Sequence, residues 1–278
     1  MKRALARLLL LLSFSPSILA QVSVQESILY GITDMGKFIT IDRDTGAGTL
    51  VWDLPYSGVD SLAFVNGWFY ASHGAFAGGG DIVKFTTQPG SDVDLGPTFI
   101  GAGPQVAYSI EDMAVGPNGR VYVAYNDTQA SAPSPANKIG VLTITDAGCS
   151  ITFRAQPIGG GGAFNDLDAI SFDRLGNFWI VNILPGRWGQ MLLPSGQVLN
   201  DTPIPNSGCA ARWTGLTAFG RAQDQVFYAT MSASDFGESC FVTVDKNGGR
   251  TFIGMVGFGF DSVTGLALVP QRRILKRR

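Results

Sequence analysis

The 278-residue chain has one histidine, His73, and three cysteines, Cys149, Cys209 and Cys240. No CxxC, HExxH, GxSxG or phosphate-loop spacing occurs, which argues against a zinc site of the usual His and Cys kind and against the common hydrolase elbows. A Ser-His-Asp triad would have to use His73, at the mouth of the Gly-rich stretch SHGAFAGGGD. Charge is sparse, at 15% of residues. Beyond the N-terminus no apolar run has spanning length, and no convincing helical period appears.

The first residues read MKRALARLLLLLSFSPSILA, with a basic head at Lys2, Arg3 and Arg7, an apolar core from Leu8 to Leu12, and a small residue at Ala20. That is the anatomy of a secretory signal peptide. The expected organisation is a signal at 1–20, a single domain at 21–270 and a basic tail, QRRILKRR, at 271–278. The expected location is secreted, periplasmic or cell-surface, with no transmembrane segment in the mature form. Head and tail hold three and five of the 20 basic residues, which leaves 12 basic against 22 acidic in the body, a net of −10. Such a body repels phosphate backbones, so nucleic acid is not an expected partner.

The chain repeats itself. VDSLAF (59–64), IEDMAV (110–115), LDAISF (167–172), TGLTAF (214–219) and TGLALV (264–269) align on the apolar anchors Leu62, Met113, Ile170, Leu216 and Leu266. The anchors fall 51, 57, 46 and 50 residues apart. Each of the first four is followed by a turn and a second strand: WFYAS, RVYVAY, NFWIVN or QVFYAT. The turns carry Asn-Gly and Gly-Asn pairs, which accept positive φ. Third strands (DIVKFT, KIGVLTI, WGQMLL, CFVTVD) and fourth strands follow.

Four short antiparallel strands per repeat predict a β-propeller. The N-terminal ILYGIT, KFITID and TLVWDL form a unit lacking its first strand, and SVTGLALVP (262–270) supplies it. The expected fold is all-β: a five-bladed β-propeller of four-stranded antiparallel blades, its ring closed by pairing the C-terminal strand with the N-terminal strands. The composite GLAL…PNGRVYVA…NKIGVLTI resembles the blade repeat of secreted bacterial propellers of the NHL, YVTN and gluconolactonase-like kinds, over nearly the whole mature chain. A five-bladed ring is also similar to the plant-type glutaminyl cyclases, whose first-strand motif is approximately FTQGL where this chain has VDSLAF or VTGLAL.

Long second-to-third loops (72–80, 126–137, 182–189, 232–239) share one face, and His73, Phe76, Tyr125, Trp188 and Phe236 lie in or beside them as candidate ligand-binding residues. The first expectation is a monomeric binding or scaffold module that holds a glycan, peptide or protein on this face. The alternative, implied by the resemblance, is a metal-dependent hydrolase or lactonase with a cation at the central channel. Asp60, Glu111, Asp168, Thr214 and Thr264 stand two residues before their anchors, at equivalent places near the axis. Their oxygens suit Ca²⁺ or Mg²⁺, and Asp112 and Asp166 could add ligands; local backbone capping is the competing role. Cys209 and Cys240 map to the loop-rich face as a disulfide pair, with Cys149 left over.

Overall fold

The computed structural model describes residues 27–74, 80–127, 138–145, 148–158, 167–182, 186–204, 212–219, 226–232, 238–257, 259–260 and 262–271. It contains β1 (Ser27–Thr33), β2 (Lys37–Ile41) and β3 (Gly48–Asp53), then β4 (Ala63–Val65), β5 (Trp68–His73), β6 (Asp81–Phe85) and β7 (Val93–Ile100). β8 (Ser109–Val115), β9 (Val121–Asn126), β10 (Lys138–Thr145) and β11 (Gly148–Ala155) follow. Next come β12 (Leu167–Phe172), β13 (Phe178–Asn182), β14 (Arg187–Met191) and β15 (Val198–Pro203). The chain continues through β16 (Arg212–Phe219), β17 (Val226–Ser232), β18 (Ser239–Val244), β19 (Arg250–Met255) and β20 (Val263–Pro270).

Consecutive strands pair antiparallel within each group, because turns too short to allow a crossover join most of them. The Asn66-Gly67 turn between β4 and β5 has φ of 53° and 87°, the left-handed pair that such hairpins require. β20 pairs antiparallel with β1, Ser27 opposite Pro270 and Leu29 opposite Leu268, so the sheet runs β20-β1-β2-β3. The expected pairing of the two chain ends is present.

The innermost strands touch in the cyclic order β4, β8, β12, β16, β20 and back to β4. Apolar clusters fill the spaces between successive groups. One joins Tyr30, Phe38 and Trp52 to Phe69 and Phe85; another joins Trp179 and Trp188 to Phe227 and Val242. Alternate residues of a strand face opposite sides. Phe38 therefore enters one cluster while Ile39 and Ile41 enter the cluster on the other side. Sheets covered on both faces need apolar residues at nearly every position, hence a hydrophobic fraction of 45% in an all-β chain.

Two features depart from the expected repeat. β7 and β11 pair in parallel, Cys149 opposite Thr98 and Ile151 opposite Ile100, which merges two groups into one eight-stranded sheet. Both outer strands have eight residues, against six in β3, β15 and β19, so they reach each other and cover each other's edges. β4 is also shorter than the expected 59–64 strand. Side chains and distant backbone take up its early hydrogen bonds: Val59 N–H donates to Asp34 O, and Val59 O accepts from the Thr264 hydroxyl.

Candidate functional site

The shoulder of the loop-bearing face carries most of the polar chemistry. His73 ends β5 opposite Asp81. Its ring lies 4.4 Å from that of Tyr56, tilted by 39°. Its Nε2 is 3.5 Å from Asp94 Oδ1. The Tyr56 hydroxyl donates to Asp92 Oδ2 at 3.3 Å. Burial, with Asp92 and Asp94 adding, pushes the Tyr56 phenol up to about 12. Burial also raises the Asp81 carboxyl, opposed by His73. The imidazole thus lies near two carboxylates, Asp81 and Asp94, and against the Tyr56 ring, with Asp92 reached only through the Tyr56 hydroxyl. The sequence signal for Asp92 and Asp94 was the acidic SDVDLG stretch (91–96), which reads as ordinary turn chemistry until the sheet brings it beside His73. Further round the same face, Lys138 pairs with Asp127 and Arg187 with Asp201, each bracing a strand that borders a second-to-third loop.

Two of the expected ligand-binding aromatics lie elsewhere. Tyr125 is buried among Val123, Leu142 and Ile151, and burial pushes its phenol up to about 12. Trp188 is also buried: its ring centroid is 5.1 Å from that of Trp179 and 4.9 Å from that of Phe227, and its Nε1 donates to Lys246 O at 3.2 Å. Both were expected on the rim because they flank loops. They are core residues because their alternate position on the strand points at the neighbouring group. Phe76 and Phe236 lie outside the described residues, as do Cys209 and Asp166.

Near the starts of the inner strands, hydrogen bonds link neighbouring groups at four places. The Thr264 hydroxyl donates to Val59 O at 2.5 Å. Ser72 Oγ donates to Ile110 O at 2.9 Å and lies 2.7 Å from Ser61 Oγ. Thr230 Oγ1 donates to Val263 O at 2.9 Å. Asp112 Oδ2 accepts the N–H of Ile170 at 2.7 Å, and its Oδ1 accepts that of Met113 at 2.8 Å. Asp112 is buried, and burial drives its carboxyl well above the usual carboxylate range against the pull of those two N–H groups. Glu111 accepts from Ser109 Oγ at 2.5 Å and Asn126 Nδ2 at 2.9 Å. Asp60 donates its N–H to Ser72 O, and Asp168 is buried. Among the described residues no three of His, Cys, Asp and Glu gather into a metal-holding group.

Farther along the same strands the residues bordering the channel are mostly apolar in type, several of them buried between groups. A cavity of about 230 Å³ is walled by Leu62, Phe64, Met113, Phe172, Leu216 and Leu266, with Arg174 the one charged lining residue. Gly265 brings β20 onto β4 just above it. A Cβ there would lie 2.4 Å from Leu62 N and 2.6 Å from Ser61 C, so only glycine fits the approach. The repeated Thr-Gly-Leu carried this signal, since Gly215 is similarly pressed, a Cβ there lying 2.9 Å from Thr230 Oγ1.

No family model and no curated protein matches the chain. Solved structures do. The chain is 13% identical to a protein in a nidogen/laminin complex, covering 87% of this chain and 98% of that one with a TM-score of 0.48. A virginiamycin B lyase from Staphylococcus aureus is 14% identical, with 83% and 85% covered and a TM-score of 0.44. An aldose sugar dehydrogenase from Streptomyces coelicolor, in a form bound to PQQ, is 11% identical, with 87% and 81% covered and a TM-score of 0.48. These neighbours are β-propellers, and it is to β-propellers, at the level of fold, that this chain is similar.

Proposed function

We propose that this chain is a secreted or cell-surface, five-bladed β-propeller that binds a glycan, peptide or protein on its loop-bearing face without catalysis. The blade count is supported by the cyclic contacts of β4, β8, β12, β16 and β20 and by the apolar cluster between each successive pair of groups. A Cys209–Cys240 disulfide belongs to the same reading, with Cys149 the free, buried cysteine.

One observation carries the function. At the loop-face end of the inner strands, where the metal-holding acids were expected, Glu111 is held by local hydrogen bonds from Ser109 and Asn126. Asp112, the carboxylate buried beside it, spends both oxygens on backbone N–H groups. Polar and charged side chains stand instead on the loop-bearing shoulder, at Tyr56, His73, Asp94, Asp127, Lys138 and Arg187. A rigid scaffold that presents mixed polar groups beside long loops suits recognition.

The test screens the protein against glycan and peptide arrays and, in parallel, against lactones and esters with and without added Ca²⁺. Binding that weakens in a His73→Ala, Asp94→Asn variant, without turnover of any lactone or ester, is the expected result. Ca²⁺-dependent lactone turnover would overturn the reading in favour of a hydrolase.

A further inference from the structure

At the turn end of the molecule, away from the long loops, a groove of about 490 Å³ lies between the β4–β5 hairpin and the sheet of β9, β10 and β11. Its volume is in the range of small-molecule pockets. Arg120, from the turn before β9, and Arg154, from β11, both line it. Asn66, Tyr70, Thr143 and Thr152 add an amide, a phenol and two hydroxyls, over a floor that includes Val121 and Val141. No Asp or Glu is among the lining residues.

That charge balance is unusual for this protein. The body carries 22 acidic residues against 12 basic ones. Other cations of the ordered sheets are engaged: Lys37 with Gly259 O, Lys138 with Asp127, Arg187 with Asp201, Lys84 over the Trp68 ring and Arg250 with Met231 Sδ. Arg120 and Arg154 have exposed side chains and no ion pair among the described residues. Two guanidinium forks in one groove can each bind a carboxylate or sulfate in a bidentate manner. Hydroxyl and amide groups match sugar hydroxyls, and an aromatic ring beside an aliphatic floor matches the C–H faces of sugar rings.

We propose that this groove is a binding site for an acidic oligosaccharide, whose carboxylate or sulfate groups are held by Arg120 and Arg154. It is a second site, distinct from the loop-bearing face and facing the other way. An isolated anion would engage only the guanidinium groups. An acidic peptide would lack the ring faces that Tyr70 and the valine floor accept.

The test titrates the full-chain protein with a polyuronate oligomer, a sulfated oligosaccharide, a neutral oligosaccharide of equal length, an acidic peptide and sodium sulfate. The same titrations are run on Arg120→Gln/Arg154→Gln and on Arg120→Lys/Arg154→Lys. One or both acidic oligosaccharides should bind, and the Gln pair should weaken that binding by about tenfold or more through loss of two charge-assisted hydrogen bonds. The Lys pair keeps the charge but loses the forks, so its binding should fall between the two. The His73→Ala, Asp94→Asn variant should bind the acidic sugar as wild type does, which separates this site from the loop-bearing one. Failure of both acidic oligosaccharides to bind overturns the proposal. So does undiminished binding by the Gln pair, or peptide or sulfate binding as tight as that of the oligosaccharide.

Discussion

The two ends of the inner-strand ring are held by different forces. At the loop-bearing end, Thr264, Ser72, Thr230 and Asp112 reach from one strand group to backbone atoms of the next. At the turn end the same strands meet through Phe64, Met113, Phe172 and Leu266 around a cavity. Hydrogen bonds are directional and costly to leave unmade, so they fix which strand lies against which. Apolar contacts tolerate changes of shape if volume is kept. The polar end therefore sets the alignment of neighbouring groups, and the apolar end fills the space between them.

The strongest way to break this arrangement is to remove the strand that belongs to both ends. A chain ending at Asp261 lacks β20, exposes the edge of β1, uncovers β4 and β16, and loses the Thr264 link. Cooperative unfolding should disappear and aggregation should rise, read by calorimetry and light scattering. A truncated protein that melts like the full one would refute ring closure.

Asp112→Ala tests the polar end alone. It leaves the N–H groups of Met113 and Ile170 without their acceptor in a buried place, at about 1–3 kcal/mol each. Denaturant unfolding should show the loss. The carboxyl also gives a pH signature. Its folded pKa is raised by burial, so the folded state holds the proton more tightly than the unfolded chain does. The stability from that proton is full below the ordinary carboxylate pKa and is lost as pH rises through the raised folded value. Asp112→Asn should flatten this decline, and an unchanged pH profile would count against it.

Gly265→Ala forces a methyl group against Leu62 N and Ser61 C, where β20 crosses β4. The expected cost is about 1–3 kcal/mol. At the apolar end, Met113→Leu keeps volume beside the cavity and should cost less than about 1.5 kcal/mol. Equal losses in these two variants would erase the contrast between the ends.

The smallest effect concerns the thiols. Cys149 is buried in the β7–β11 seam, and burial pushes its pKa up to about 11. Iodoacetamide at pH 8 should leave it unlabelled in the native protein and label it after unfolding. Peptide mapping without reduction should recover Cys209 linked to Cys240; Cys149 in the linked pair would refute that assignment.

Strand order and the hairpins were legible in the sequence because alternation and turn residues act over a few positions, and the pairing of β20 with β1 was legible because the repeat lacks its first strand at one end and holds it at the other. The anchors from Leu62 to Leu266 mark the innermost strands for the same reason, and the Thr-Gly-Leu repeat already held the glycine that lets β20 meet β4. What a side chain faces across a group boundary is not local. Tyr125 and Trp188 stand beside loops in the sequence and inside the core in space, because a neighbouring sheet covers the side they point to. Asp112 was expected to be able to add a metal ligand beside Glu111; in the fold its Oδ2 accepts the N–H of Ile170, 58 residues away. The parallel β7–β11 seam and the groove shared by Arg120 and Arg154 likewise depend on which groups become neighbours, and that is decided only when the ring closes.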